Sequence, residues 1–156
     1  MNKRKTWQEK LADSKDLPKV IEINENQSKR WGTGTCAIPS PKDVNEIMKH
    51  VPKGKLLTIN NIREMIAQKY NATIGCPITT GIFAWISANA AEEMSAQGEK
   101  KITPYWRILK AKGELNSKYP GGVEHQMELL ESEGHKIYQK GRRFFVMDFE
   151  KHVLKD

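Results

Sequence analysis

With 156 residues the chain has room for one domain with its own core and for an appended segment, so its length excludes a dependence on disulfide staples. It carries 26 Lys and Arg against 19 Asp and Glu, a formal net charge of +7, which favours anionic partners such as nucleic acid. Cys36 and Cys76 stand far apart without CxxC spacing, which argues against a disulfide framework and for a reducing compartment. The four histidines, His50, His125, His135 and His152, share no ligand spacing, so neither a metal nor a cofactor is expected.

The chain opens on "MNKRKTWQEKLADSKD", a charged stretch expected to be loose or weakly helical. No apolar run follows its basic start, so it does not read as a secretory signal. "KVIEIN" reads as a short strand, and "RWGTGTCAIPSP" as a second extended piece or loop. Residues 1–40 are therefore expected to form an N-terminal extension, and 41–156 the main domain.

From Ser40 the pattern turns helical. Ser40 suits an N-cap, Pro41 the first turn and Asp43 the positive helix end, with Val44, Ile47, Met48 and Val51 at helical spacing. Pro52 and Gly54 end that helix. Thr58 caps a second one, whose apolar face is Ile59, Ile62, Met65 and Ile66. "NATIGCP" leads into a third, longer helix, on which Ile78, Ile82, Ile86, Ala90 and Met94 are expected to share the core face. Its most apolar window, "ITTGIFAWISANAA", is too short and too polar to span a membrane, so a cytoplasmic protein without membrane contact is expected.

Helices two and three, joined by a compact turn, predict a helix-turn-helix, and 102–122 an irregular wing behind it. "VEHQMELLESEGH" predicts a fourth helix with Val123, Met127 and Leu130 on one face. "HKIYQKGRRFFVMDF" predicts a hairpin turning near Lys140 and Gly141. The expected class is α+β: a winged helix-turn-helix domain with small antiparallel β elements at both ends.

Three motifs in the second half bear on function: "PYWRIL", "YPGG" and "LLESEGH", in that order. From about Gly54 to Lys136 the chain resembles the DNA-binding domain of the methylated-DNA–protein cysteine methyltransferases, which remove alkyl groups from the O6 atom of guanine. That family carries "PCHRV", a "G-x-x-x-x-Y-x-GG" loop and a closing helix ending in "LL…EGH". The resemblance implies that Pro104 and Arg107 match the family proline and arginine, and Glu133 its relay glutamate. Tyr119, Gly121 and Gly122 would match the loop lining the base pocket. Tyr105 stands at the alkyl-accepting cysteine, and Trp106 at the histidine that activates it.

A thiol is a few per cent ionised at neutral pH, whereas a phenol of pKa about 10 is roughly 0.1 % ionised and less nucleophilic. The Trp106 indole donates but cannot accept a proton. The resemblance therefore points to the alkyltransferase-like proteins, which bind alkylated DNA without repairing it and flag it for other repair factors. Ile59 and Gly81, or a neighbour of Gly81, stand where the family has its nucleotide-swinging tyrosine and its gap-filling arginine, and this puts base flipping in question.

Tyr105, Trp106 and Arg107 accordingly form a candidate base pocket, with Tyr105 as its floor. The outward face of the third helix is expected to show Thr79, Thr80, Ser87 and Asn89 to DNA. Lys53, Lys55, Arg63, Lys101, Lys110, Lys112 and Lys118 are candidate phosphate contacts. The expected partners are double-stranded DNA, alkylated or not, and downstream repair proteins, with the chain acting as a monomer. Two other readings stay open. One is an enzyme using Cys76, placed at a helix start where thiol pKa values fall. The other is a ligand- or protein-binding module that has left DNA.

Overall fold

The computed structural model describes residues 4–155. The fold is α+β, with six α-helices and three small sheets among the described residues. The opening stretch holds a docked helix, α1 (Trp7–Ala12), started by a capping box between Thr6 and Glu9. Residues 1–3 of that stretch lie outside the described residues. Strand β1 (Lys19–Glu22) pairs antiparallel with β2 (Thr35–Ile38), and between them sits α2 (Glu25–Trp31), capped by Asn24 and Gln27.

Helix α3 (Pro41–Lys49) begins as its residues dictate: Ser40 Oγ accepts from the Asp43 amide at 3.1 Å, and the Asp43 carboxylate accepts from the Ser40 amide at 3.0 Å. Short β3 (Leu57–Thr58) leads into α4 (Ile59–Lys69), where Thr58 and Asn61 repeat the device. Strand β4 (Ile74–Gly75) runs parallel to β2, so residues 35–38 are knit into the sheet that precedes α5 (Pro77–Ala96). Gly75 is required here, because a Cβ would run into the backbone carbonyl of Arg63.

A 3-10 turn at Tyr105–Arg107 follows, then β5 (Ile108–Leu109), parallel to β3. Helix α6 (Gly122–Ser132) and the hairpin of β6 (Ile137–Lys140) and β7 (Arg143–Val146) close the chain. Two apolar cores result. One gathers Val44, Met48, Ile62, Ile66, Ala84, Ala88 and Tyr105 between α3, α4 and α5. The other gathers Leu56, Leu109, Leu115, Leu130 and Val146 beneath α6 and the hairpin, and Trp106 packs against both.

Helix α5 departs from expectation. Its buried residues are all small, Thr80, Ala84, Ser87, Ala88, Ala90 and Ala91; of the expected stripe Ala90 is buried and Ile86 and Met94 are half-buried. Ile78 is 59 % exposed, Ile82 46 % and Trp85 37 %. Small side chains let helices approach closely, and the volume between α3, α4 and α5 is already taken by the Ile, Met and Tyr side chains opposite. Thr80 and Ser87 are thus buried, not outward as expected; Thr80 Oγ1 donates to the Cys76 carbonyl at 2.6 Å. No helix among the described residues is long and apolar enough to cross a membrane.

Candidate nucleic-acid interface

A cleft of about 580 Å³ opens between the start of α4, the exposed face of α5 and two loops. Ile59 and Asn60 come from α4, and Ile78, Gly81, Ile82 and Trp85 from α5. Lys110, Ala111 and Asn116–Lys118 form the opposite wall. That wall is held by polar bonds. The buried Gln126 of α6 accepts from the Asn116 amide at 2.8 Å and donates to the Trp106 carbonyl at 3.2 Å. Asn116 Oδ1 accepts from the Lys118 amide at 3.0 Å, and Trp85 Nε1 donates to the Lys118 carbonyl at 3.1 Å. A basic loop is thereby fixed across from an apolar helix face.

Tyr105 is not the floor of an open pocket. Tyr105 is fully buried, its hydroxyl donating to Glu92 Oε1 at 2.6 Å. Its ring meets those of Trp106 and Tyr119 edge-on, at centroid distances of 5.4 Å each. A tyrosine ring fills the space that a cysteine would leave open, so Tyr105 is core, not floor. Burial, and then the Glu92 carboxylate, push its phenol far above the ordinary range. Tyr119 is buried as well, and burial raises its phenol too. Gly121 and Gly122 form the left-handed turn into α6; a Cβ on Gly121 would lie 2.5 Å from that of His125.

Trp106 and Arg107 converge on Glu133 instead. Trp106 Nε1 donates at 3.0 Å, Arg107 donates through Nε at 2.9 Å and Nη2 at 2.7 Å, and Arg107 Nη1 reaches the Val51 carbonyl at 2.7 Å. Desolvation opposes ionisation of Glu133, but the Arg107 and Trp106 bonds outweigh it and hold the carboxyl below its ordinary range. This part-buried cluster ties the 105–107 turn to the end of α6.

The candidate phosphate contacts are dispersed. Lys110 and Lys118 line the cleft, and Lys112 is exposed in the turn beside them. Lys53 and Lys55 are exposed in the turn before β3, outside the cleft lining. Lys101 lines a separate cavity of about 480 Å³ that also includes Trp106 and Arg107. Arg63 is occupied in holding the Gly75 carbonyl at 2.9 Å. Thr79 and Asn89 are half-buried, and Asn89 donates back to the Trp85 carbonyl at 2.9 Å.

Neither thiol is presented. Cys36 is fully buried, and burial together with neighbouring Cys76 pushes it up to about 11. Cys76 is buried, its Sγ facing the Thr79 amide at 3.5 Å. No cluster of three His, Cys, Asp or Glu suited to a metal occurs among the described residues.

Sequence reasoning missed Trp85, Ile78, Ile82 and Gln126. The available signal was the stripe of small residues at 80, 84, 87, 88 and 91, which competes with the bulky stripe for the core.

No family model and no curated protein matches the chain. Chains of solved structures do, two from S. pombe among them. S. pombe Atl1 in complex with damaged DNA containing O6-carboxymethylguanine matches at 18 % identity and a TM-score of 0.52, over 74 % of this chain and 94 % of that one. An S. pombe ATL in complex with DNA matches at 17 % identity and a TM-score of 0.55, with the same coverages of 74 % and 94 %. The chain therefore has the α+β fold of the alkyltransferase-like protein Atl1.

Proposed function

We propose that the chain is a non-catalytic, alkyltransferase-like DNA-binding protein, acting as a monomer in the cytoplasm and handing altered DNA to repair proteins. The observation that carries this reading is the open cleft on α5, with Lys110 and Lys118 along one wall, in a fold shared with a protein crystallised on damaged DNA. Phosphates would lie along Lys110, Lys112 and Lys118, with the base edge or an extruded base against Ile59, Ile82 and Trp85. Tyr105 supports the domain from inside. The non-catalytic part is supported by the sealed Tyr105 phenol and the buried thiols, none of which lines the cleft.

Duplex titration over a range of salt tests the reading, with plain and O6-alkylguanine duplexes side by side. Each phosphate contact adds about 0.9 to the negative slope of log affinity against log salt, so Lys110→Ala with Lys118→Ala should flatten it by roughly 2. Intact mass should not change on incubation. A mass increase lost in Cys76→Ser would make the chain an enzyme. One feature favours a ligand- or protein-binding module: the uncharged, apolar face that α5 turns to the cleft. A flat salt response at micromolar protein would select that reading.

A further inference from the structure

Helix α1 lies along α5, and two contacts with α5 make it more than a loose arm. At its start, Glu93 of α5 accepts from the backbone amides of Trp7 and Gln8 at 3.1 Å each and from Gln8 Nε2 at 2.9 Å. Desolvation works against this carboxylate, but the Gln8 and Trp7 bonds prevail and keep it below its ordinary range. The Trp7 ring then meets Trp85 edge-on, with centroids 4.7 Å apart and planes at 83°. Lys10 Nζ covers the Trp7 ring at 4.1 Å from its centroid.

Trp85 is the residue that joins the two walls of the cleft, through its bond to the Lys118 carbonyl. An indole 37 % exposed on a helix surface has several rotamers open to it. Trp7 blocks one side of the ring, and Glu93 anchors the helix that carries Trp7. A continuous path thus runs from Glu93 through α1, Trp7 and Trp85 to the 116–118 loop.

We infer that Trp7 is a positioning residue for the cleft: the N-terminal helix is a strap that holds Trp85 against Lys118 and so fixes the basic loop for its nucleic-acid partner. The inference rests on the proposed DNA-binding reading only for the identity of that partner. Undocking the strap frees Trp85 and lets the loop move, without removing a cation from the cleft wall. No residue of α1 is itself buried.

The test measures hydrogen exchange and duplex affinity on the full chain. Trp7→Ala removes the edge contact, Glu93→Ala releases the helix from its other end, and Trp7→Phe retains a ring. In the two alanine variants, the Trp85 indole N–H and the 116–118 amides should exchange roughly two- to tenfold faster, the size of one aromatic edge contact. Duplex affinity should fall by a similar factor with the salt slope unchanged, and Trp7→Phe should recover both. A merely structural strap would lower the melting temperature and leave the Trp85 and 116–118 exchange rates alone; that result overturns the inference. So does faster exchange with unaltered affinity in a protein that binds duplex. Should the wild-type chain bind no duplex, the DNA reading fails, while the exchange rates still decide whether the strap sets the loop.

Discussion

Tyr105 packs against α5 and Trp85 is carried by it, and the fold treats these two aromatic residues in opposite ways. Tyr105 is fully buried, with rings on two sides and its hydroxyl satisfied by Glu92. Trp85 has its N–H satisfied and one edge covered, yet 37 % of it stays in the open beside the basic loop. A polar handle is satisfied in both, so hydrogen bonding does not separate them. What separates them is how many neighbours close over the ring. The position that the motif resemblance led one to expect in a pocket is core, and the cleft is lined by residues that no motif marks.

The strongest way to break this contrast is to truncate the sealed ring. Tyr105→Ala should cost about 3–5 kcal/mol, since it removes a large buried side chain and leaves a cavity. Tyr105→Phe keeps the ring and loses only the bond to Glu92, so its cost should be about 1–2 kcal/mol. Chemical denaturation measures both; a near-neutral alanine variant would mean that Tyr105 is a pocket floor after all.

A second test asks whether the interior under the hairpin is as closed as the one around Tyr105. His135 is buried with both ring nitrogens unpartnered, 4.8 Å from the His152 ring centroid. Burial first, and His152 next, hold its pKa below the ordinary 6.5. The unfolded chain therefore takes up this proton first as the pH falls. The contribution is complete above pH 6.5 and shrinks between 6.5 and the lower native value. Melting temperature followed over that window should decline in the wild type and flatten in His135→Phe.

The smallest stability effect belongs to the open side. Ile82→Ser changes a side chain that is 46 % exposed, so stability should stay within about 0.5 kcal/mol, while duplex affinity falls. A large loss of stability would show that the cleft wall is core, and the contrast with Tyr105 would collapse.

Much of the fold was legible because its signals are local. Ser40 with Asp43 and Thr58 with Asn61 start helices through bonds spanning three residues. The same logic applied to Asn24 and Gln27 would have exposed α2, which the polar composition of "ENQSKRW" concealed. The docking of α1 was not legible, because Trp7 finds Trp85 and Glu93 far along the chain. Of the lysines named from the sequence, Lys110 and Lys118 line the cleft and Lys112 is exposed beside them, while the bonding of Arg107 and Trp106 to Glu133 was not legible. Neither were the apolar wall of the cleft and the fate of Tyr105.

By itself the sequence determined where the helices α3, α4 and α6 and the closing hairpin begin and end, and the positive charge they carry, because caps, turns and charges act over a few residues. Only the tertiary structure decided which stripe of α5 is buried, since bulky and small residues offer two competing faces and the space left by α3, α4 and Tyr105 admits only the small one. That one packing choice put Ile78, Ile82 and Trp85 on the surface and created the cleft.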